Sequence, residues 1–140
     1  QQFIRESAGK DIRVFVIGNR VVGAVLRKGK RGSFKSNYKR GGSVESIEIS
    51  PEMEWLALEA TRIVGLEISG VDLLFDSGHY SVCEVNSNPG FEGFESATDI
   101  HIPRAIYDFL SVRLDGITQS TVQLQTHEAV HANKGIITNI

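Results

Sequence analysis

Asp72, Glu84 and Asn86 are oxygen-bearing side chains set in two apolar stretches, Gly70-Val71-Asp72-Leu73-Leu74-Phe75 and Val82-Cys83-Glu84-Val85-Asn86. Strand side chains alternate faces, so Glu84 and Asn86 point one way and Cys83 and Val85 the other. Val71, Leu73 and Phe75 share a face, and Asp72 lies opposite to them. If Leu73 stands across from Cys83 and Val71 from Val85, the apolar faces coincide, as core burial requires. That register also sets Asp72 opposite Glu84, with Cβ atoms about 4.5–5.5 Å apart. Two carboxylates so close repel unless something positive lies between them. With Asn86 as a third oxygen donor, the group suits Mg²⁺, which takes one or two carboxylates together with substrate phosphates. A two-residue turn at Ser77-Gly78 would slip the register by one, so this reading requires an odd-numbered loop. The competing reading is a sheet with one wet face, where the acids simply meet water.

A second concentration of chemistry runs from Arg27 to Arg40. It holds seven of the 15 basic residues: Arg27, Lys28, Lys30, Arg31, Lys35, Lys39 and Arg40. Gly29, Gly32, Gly41 and Gly42 interleave with them. Glycines let backbone N–H groups approach a phosphate, and the cations supply charge. Neither Gly-x-x-x-x-Gly-Lys-Ser/Thr nor Gly-x-Gly-x-x-Gly is present, so a phosphate held here is held by another fold. A solvated basic surface is the plain alternative, and aromatic residues in the run (Phe34, Tyr38) are too few for a stacking platform.

These groups need elements to carry them. Arg13 to Ile17 and Arg20 to Leu26 are rich in β-branched residues, and Gly18-Asn19 between them reads as a two-residue hairpin turn. Lys28 to Gly42 reads as a long functional loop, and Glu45 to Ile49 as a short strand. Ser50-Pro51-Glu52 opens a helix by capping hydroxyl, proline at the first position and acids in the first turn. Leu56, Ala60, Ile63 and Val64 are its expected inner face, and Gly65 its stop. Ser69 to Phe75 and Ser81 to Asn86 form the second hairpin. A further helix is expected from Ile102-Pro103 to Gly116, with Ile102, Ile106, Phe109 and Leu110 inward. The expected class is α+β, an antiparallel sheet with helices packed on one face. Residues 1–116 form the expected structured part, and 117–140, rich in Thr and Gln, a polar tail without fixed structure.

The bulk properties narrow the partners. The 140 residues are 41% hydrophobic and 23% charged, with a net charge of −2. Nothing global directs the chain to nucleic acid or to an acidic membrane surface. No apolar run approaches the roughly 20 residues that span a bilayer. The single cysteine, Cys83, rules out an internal disulfide and fits a reducing compartment, so a cytoplasmic location is expected. The chain starts at Gln1 within sequence that already reads as structured, and it is taken as part of a longer protein.

Several blocks together are similar to RimK-type ATP-grasp ligases. They are Gln2-Phe3-Ile4-Arg5-Glu6-Ser7-Ala8-Gly9-Lys10-Asp11-Ile12-Arg13, Gly32-Ser33-Phe34-Lys35-Ser36-Asn37, Arg40-Gly41-Gly42, Gly70-Val71-Asp72, and Cys83-Glu84-Val85-Asn86-Ser87-Asn88-Pro89-Gly90-Phe91-Glu92-Gly93. They run in family order from Gln1 to about Leu114. The resemblance implies the C-terminal half of an ATP-grasp fold, with an N-terminal domain and a central lid lying before Gln1, so this piece alone is expected to be inactive. It implies an ADP-forming ligase that uses ATP and Mg²⁺ (or Mn²⁺) to join a carboxylate to an amine, commonly glutamate, through an acyl phosphate. By position, Gln2 and Phe3 correspond to the hinge beside adenine, where the family often has an acid at the position of Gln2. Asp11 corresponds to the nucleotide-site acid, and Lys35, Ser36 and Asn37 to the nucleotide-contacting loop. Arg27 corresponds to the arginine that stabilises the transferring phosphoryl group, and Asp72, Glu84 and Asn86 to the metal ligands. The expected partners are ATP, a carboxylate acceptor and an amino acid, with no nucleic acid and no membrane; a homo-oligomer is left open. A nucleotide-binding regulator without catalysis is the alternative.

Other signals carry less. His127-Glu128-Ala129-Val130-His131 has the zinc-peptidase pattern, but the nine residues after it hold no third ligand. Cys83 is expected to pack in the core. His79 and His101 are read as solvated or structural, and Glu92, Glu95 and Asp99 as exposed loop acids.

Overall fold

The sheet is built from two hairpins whose turns can be followed from residue to backbone. The computed structural model describes residues 4–29 and 42–117. In the first hairpin, β1 (Lys10–Ile17) and β2 (Arg20–Lys28) are joined by Gly18 and Asn19, with φ of 58° and 61°. Two successive positive φ values make a type I′ turn, whose twist matches that of the flanking strands. β3 (Ser43–Ile47) pairs with β2, beginning two residues before the expected start at Glu45. In the second hairpin, β4 (Ile68–Asp76) and β5 (His79–Asn86) are joined by Ser77 and Gly78, with φ of 55° and 86°. β4 pairs with β1, so the order is β3-β2-β1-β4-β5 and every pairing is antiparallel.

The turn at Ser77-Gly78 therefore has two residues, not the odd number expected. The register is restored by a bulge: Leu73 pairs with Val82, Asp72 with Glu84 and Val71 with Val85, leaving Cys83 as the extra residue. A bulge inserts one residue on one strand without disturbing the other. It also corrects the expectation for Cys83, which is exposed and not packed in the core. The extra residue of a bulge on an edge strand has no position on the inward face.

One sheet face is apolar. Ile12, Val14 and Val16 of β1, Ala24 of β2, and Val71 and Leu73 of β4 close a core with Met53 and Ala57 of α1 (Pro51–Ile63). The Ser50 side chain accepts a hydrogen bond from the Met53 N–H at 3.2 Å, satisfying one orphan donor of the first turn. At the other end, Leu66 N–H bonds to Thr61 O and Gly65 N–H to Arg62 O, with Gly65 at φ 71°. This is a Schellman stop. Met53, Ala57 and Thr61 are the buried residues of α1, flanked by partly buried Leu56 and Ala60. The expected inner residues Ile63 and Val64 are 72% and 53% exposed. At roughly 100° per residue, Ile63 lies about 120° around the helix from Ala57, and Val64 is the C-cap. Thr61 and Ser69 satisfy each other at 2.6 Å inside the core.

The other face carries Asp11, Arg13 and Phe15 of β1. The α+β class and antiparallel sheet are as expected, but α2 (Glu92–Thr98), a stretch expected to be loop, places Phe94 on this second face. Its ring lies 5.3 Å from that of Phe15, centroid to centroid. Gly23, paired with Phe15, admits the contact, because a Cβ there would stand 2.8 Å from Phe94 Cζ. The chain divides into two units, residues 1–105 and 106–140. The first unit ends on a helical stretch, 102–105, with Ile102 fully buried; in the second, residues 106–117 are helical. Among the described residues, no helix is long and apolar enough to cross a membrane.

Candidate active site

Four adjacent strands each contribute to one polar network. Alternation places Asp11 and Arg13 on the same face of β1. Asp11 pairs with Arg27 of β2, and Arg13 pairs with Asp72 of β4. Glu84 and Asn86 of β5 stand opposite Asp72 and Gly70 of β4. Side chains on one face of neighbouring strands are near enough to bond, and these do. Arg27 Nε donates to Asp11 Oδ1 at 2.6 Å, and its Nη2 to Asp72 Oδ2 at 2.8 Å. Arg13 grips the same carboxylate bidentately, Nε to Oδ1 and Nη2 to Oδ2, both at 2.8 Å. The Asp72 side chain is 8% exposed. With its amide oriented to satisfy its neighbours, Asn86 donates to Glu84 Oε1 at 2.9 Å and accepts from Arg13 Nη2 at 3.3 Å.

Burial pulls the pKa of Arg27 down, but the Asp11 hydrogen bond and the charges of Asp72 and Asp11 together outweigh it, and the net displacement is upward. Arg27 is thus a fixed cation. Three carboxylates (Asp11, Asp72, Glu84) against two guanidiniums (Arg13, Arg27) leave the cluster with one formal negative charge.

Asp72, Glu84 and Asn86 are brought together as the register argument requires. Asp11 is brought to Arg27, whose guanidinium it holds. Gln2, Phe3, Lys35, Ser36 and Asn37 lie outside the described residues, as do His127, Glu128 and His131. Sequence reasoning missed Arg13. The positive group that two facing carboxylates require is in part this residue. Only the pairing of β1 with β4 reveals it, because Arg13 and Asp72 are 59 positions apart.

The donor set can be tested against a hard cation. Among the described residues no group of three His, Cys, Asp or Glu side chains is gathered for a metal. The set is two carboxylates and one amide. The amide atom of Asn86 nearest Glu84 lies 2.9 Å from Oε1. If that atom is the oxygen, two oxygens stand at the separation of neighbouring vertices of a Mg²⁺ octahedron, about 3 Å for ligand distances of about 2.1 Å. Amide orientation follows from neighbours, so a cation or a hydrogen bond can each use this spacing. Two carboxylates and one amide oxygen are donor types that Mg²⁺ takes.

The remaining candidates are structural. Glu95 Oε1 accepts from the Ile102 N–H at 2.7 Å, and His101 Nδ1 accepts from the Arg104 N–H at 3.3 Å, so both tie down a helix start. Asp99 is the left-handed C-cap of α2. His79 is an exposed neighbour of Glu52.

The chain is similar to known proteins. A family model for the RimK-like ATP-grasp domain matches residues 1–110. A protein of Alkalilimnicola ehrlichii named "Probable alpha-L-glutamate ligase" is 47% identical over 110 residues, 79% of this chain and 36% of that protein. One of the same name from Rhodopirellula baltica is 47% identical over 115 residues, 82% of this chain and 28% of that protein. The chain thus spans about a third of the length of these relatives. A solved ATP-grasp ligase, PsnB, complexed with a phosphomimetic variant of its minimal precursor, Mg and ADP, superposes with a TM-score of 0.61 at 30% identity, covering 76% of this chain and 32% of PsnB. The D-alanine–D-alanine ligase of Bacillus anthracis, at 16% identity and a TM-score of 0.50, covers 90% of this chain and 42% of that one and shares the fold. This chain belongs to the RimK-like ATP-grasp domain family.

Proposed function

We propose that the chain supplies the cation-binding and phosphoryl-neutralising end of the site in an ATP-dependent carboxylate–amine ligase. The observation that carries this reading is the shared sheet face on which Asp72, Glu84 and Asn86 meet Arg27 and Arg13. Phosphoryl transfer needs little covalent chemistry from the protein; it needs positioned charge. A carboxylate oxygen of the acceptor attacks the γ-phosphorus of ATP and ADP leaves. The amine nitrogen then attacks the acyl carbon, phosphate leaves, and the nitrogen loses a proton. Asp72, Glu84 and Asn86 would hold Mg²⁺, which supplies charge neutralisation and orientation to the phosphates when bound. Arg27, fixed by Asp11, presents a permanent cation to the transferring group. Asp11, Lys35, Ser36, Asn37, Gln2 and Phe3 are proposed for the nucleotide by the resemblance of their motifs. The names of the relatives support glutamate as the amine, and the complex of PsnB with its precursor peptide supports a peptide-like acceptor. A cytoplasmic setting accompanies an ATP-consuming ligase.

A regulatory nucleotide binder is the less favoured reading. It would have no need of Arg27 together with a full oxygen donor set. The full-length protein, given ATP, Mg²⁺, candidate acids and glutamate, is expected to release ADP only when both acid and amine are present. Nucleotide binding with no ADP release across the acid–amine panel would overturn the ligase reading in favour of the regulator.

A further inference from the structure

Arg13 occupies the oxygens that a divalent cation would have to use. Its guanidinium takes both oxygens of Asp72 at 2.8 Å, and its Nη2 lies 3.3 Å from the Asn86 oxygen in the hydrogen-bonded orientation. Arg27 adds a second donor to Asp72 Oδ2. A carboxylate oxygen has two lone pairs. Oδ2, with two N–H donors, has none left over, and Oδ1 keeps one. The carboxylate is also largely out of water, its side chain 8% exposed beside an arginine 13% exposed, so these charge-assisted bonds are weakly screened. The pairing of β1 with β4 fixes the competition, because Arg13 stands directly across from Asp72.

We propose that Arg13 guards the cation site: it satisfies Asp72 and Asn86 so that a divalent cation binds weakly alone and tightly only when a nucleotide polyphosphate takes over the guanidinium hydrogen bonds. A polyphosphate matches the planar five-donor fork as a carboxylate does, carries more negative charge, and brings further oxygens to the cation. Cation and nucleotide then bind with positive coupling, and by linkage each raises the affinity of the other by the same factor. The inference deepens the ligase reading and rests on its assignment of the cation site.

The test is equilibrium binding of Mn²⁺ to the full-length protein, followed by electron paramagnetic resonance, with and without a non-hydrolysable ATP analogue. Mn²⁺ bound by the analogue in solution is subtracted. In the unsubstituted protein the analogue should tighten Mn²⁺ binding by at least about tenfold. Arg13→Met should tighten Mn²⁺ binding without nucleotide by at least about tenfold, removing a neighbouring positive charge, and shrink the nucleotide-induced gain by the same factor. Arg13→Lys, which keeps the charge but cannot bridge both oxygens, should fall between. Equal Mn²⁺ affinity with and without analogue in the unsubstituted protein overturns the proposal, whatever the variants do. So does unchanged or weaker Mn²⁺ binding in variants that keep the far-UV circular dichroism of the parent. If the unsubstituted protein with analogue binds no more Mn²⁺ than Asp72→Asn, the cation site itself is wrong and the ligase reading falls with it.

Discussion

Asp72 of β4 and Glu84 of β5 stand directly opposite each other, although a two-residue turn joins their strands. In a regular hairpin closed by Ser77 and Gly78, Asp72 would face Cys83, and Glu84 would face Val71 in the core. The bulge at Cys83 absorbs one residue and returns Glu84 to the polar face. Its position, between the turn and the acid pair, lets Tyr80 and Val85 both pack against the core while Glu84 and Asn86 face away from it. Bulges that re-aim a side chain beside a site are a recurrent device.

Asp72→Asn should sharply lower ADP formation by the full-length protein and raise the Mg²⁺ concentration that the remaining activity requires. Replacing the carboxylate takes away a charged cation ligand and the shared partner of Arg13 and Arg27. Two guanidiniums would then face each other across a neutral amide, so the melting temperature should also fall. Steady-state kinetics at varied Mg²⁺ and a thermal melt check both outcomes.

Arg27→Ala should lower turnover by about 10²–10³, the typical cost of one electrostatic donor to a developing charge, and change ATP affinity by less than that. Arg27→Lys should recover only part of the rate, because an ammonium cannot span Asp11 and Asp72 as the guanidinium does. A normal kcat in the alanine variant would reject the role of Arg27.

Gly70→Ala should weaken cation binding without touching a ligand. A Cβ at position 70 would lie 2.6 Å from Pro89 Cβ and 3.5 Å from Arg13 Cδ. The loop that follows Asn86 must then move. We expect a loss of about 1–3 kcal/mol in stability, as for overpacking elsewhere, with weaker Mn²⁺ binding in the presence of nucleotide. Denaturant titration and the Mn²⁺ assay measure the two effects.

Ser50→Ala should cost about 1 kcal/mol by leaving the Met53 N–H without its cap. The site lies on the opposite sheet face from α1, so kcat should not change. Chemical denaturation and kinetics together separate the two.

The pH profile should show no limb from Arg27. Its folded pKa is raised above the ordinary arginine value. A raised value means that its contribution to stability is complete below the unfolded pKa and is lost only as pH climbs through the folded one. That window lies beyond any working pH. Arg27→Lys should therefore leave the shape of the kcat profile around neutral pH unaltered while lowering its height.

The sequence by itself determined the local parts. Gly18-Asn19 specifies a left-handed turn, Ser50-Pro51 and Gly65 bound a helix, and the alternation of Val71, Asp72 and Leu73 separates an apolar face from a ligand-bearing one. Local backbone chemistry suffices for such features, because each depends on a few adjacent residues. The facing of Asp72 and Glu84 was also legible, since core burial tolerates no other register. The route to it was not. The loop looked as if it must be odd, because a bulge leaves no mark in the residues that form it, and Cys83 was misplaced for the same reason. Arg13 and the seating of Phe94 on Phe15 were decided by the tertiary structure alone. Both depend on which strand lies beside which and on which face a later helix covers. Those choices follow from the total burial of the sheet, summed over contacts between residues far apart in the chain, and no short window of sequence contains that sum.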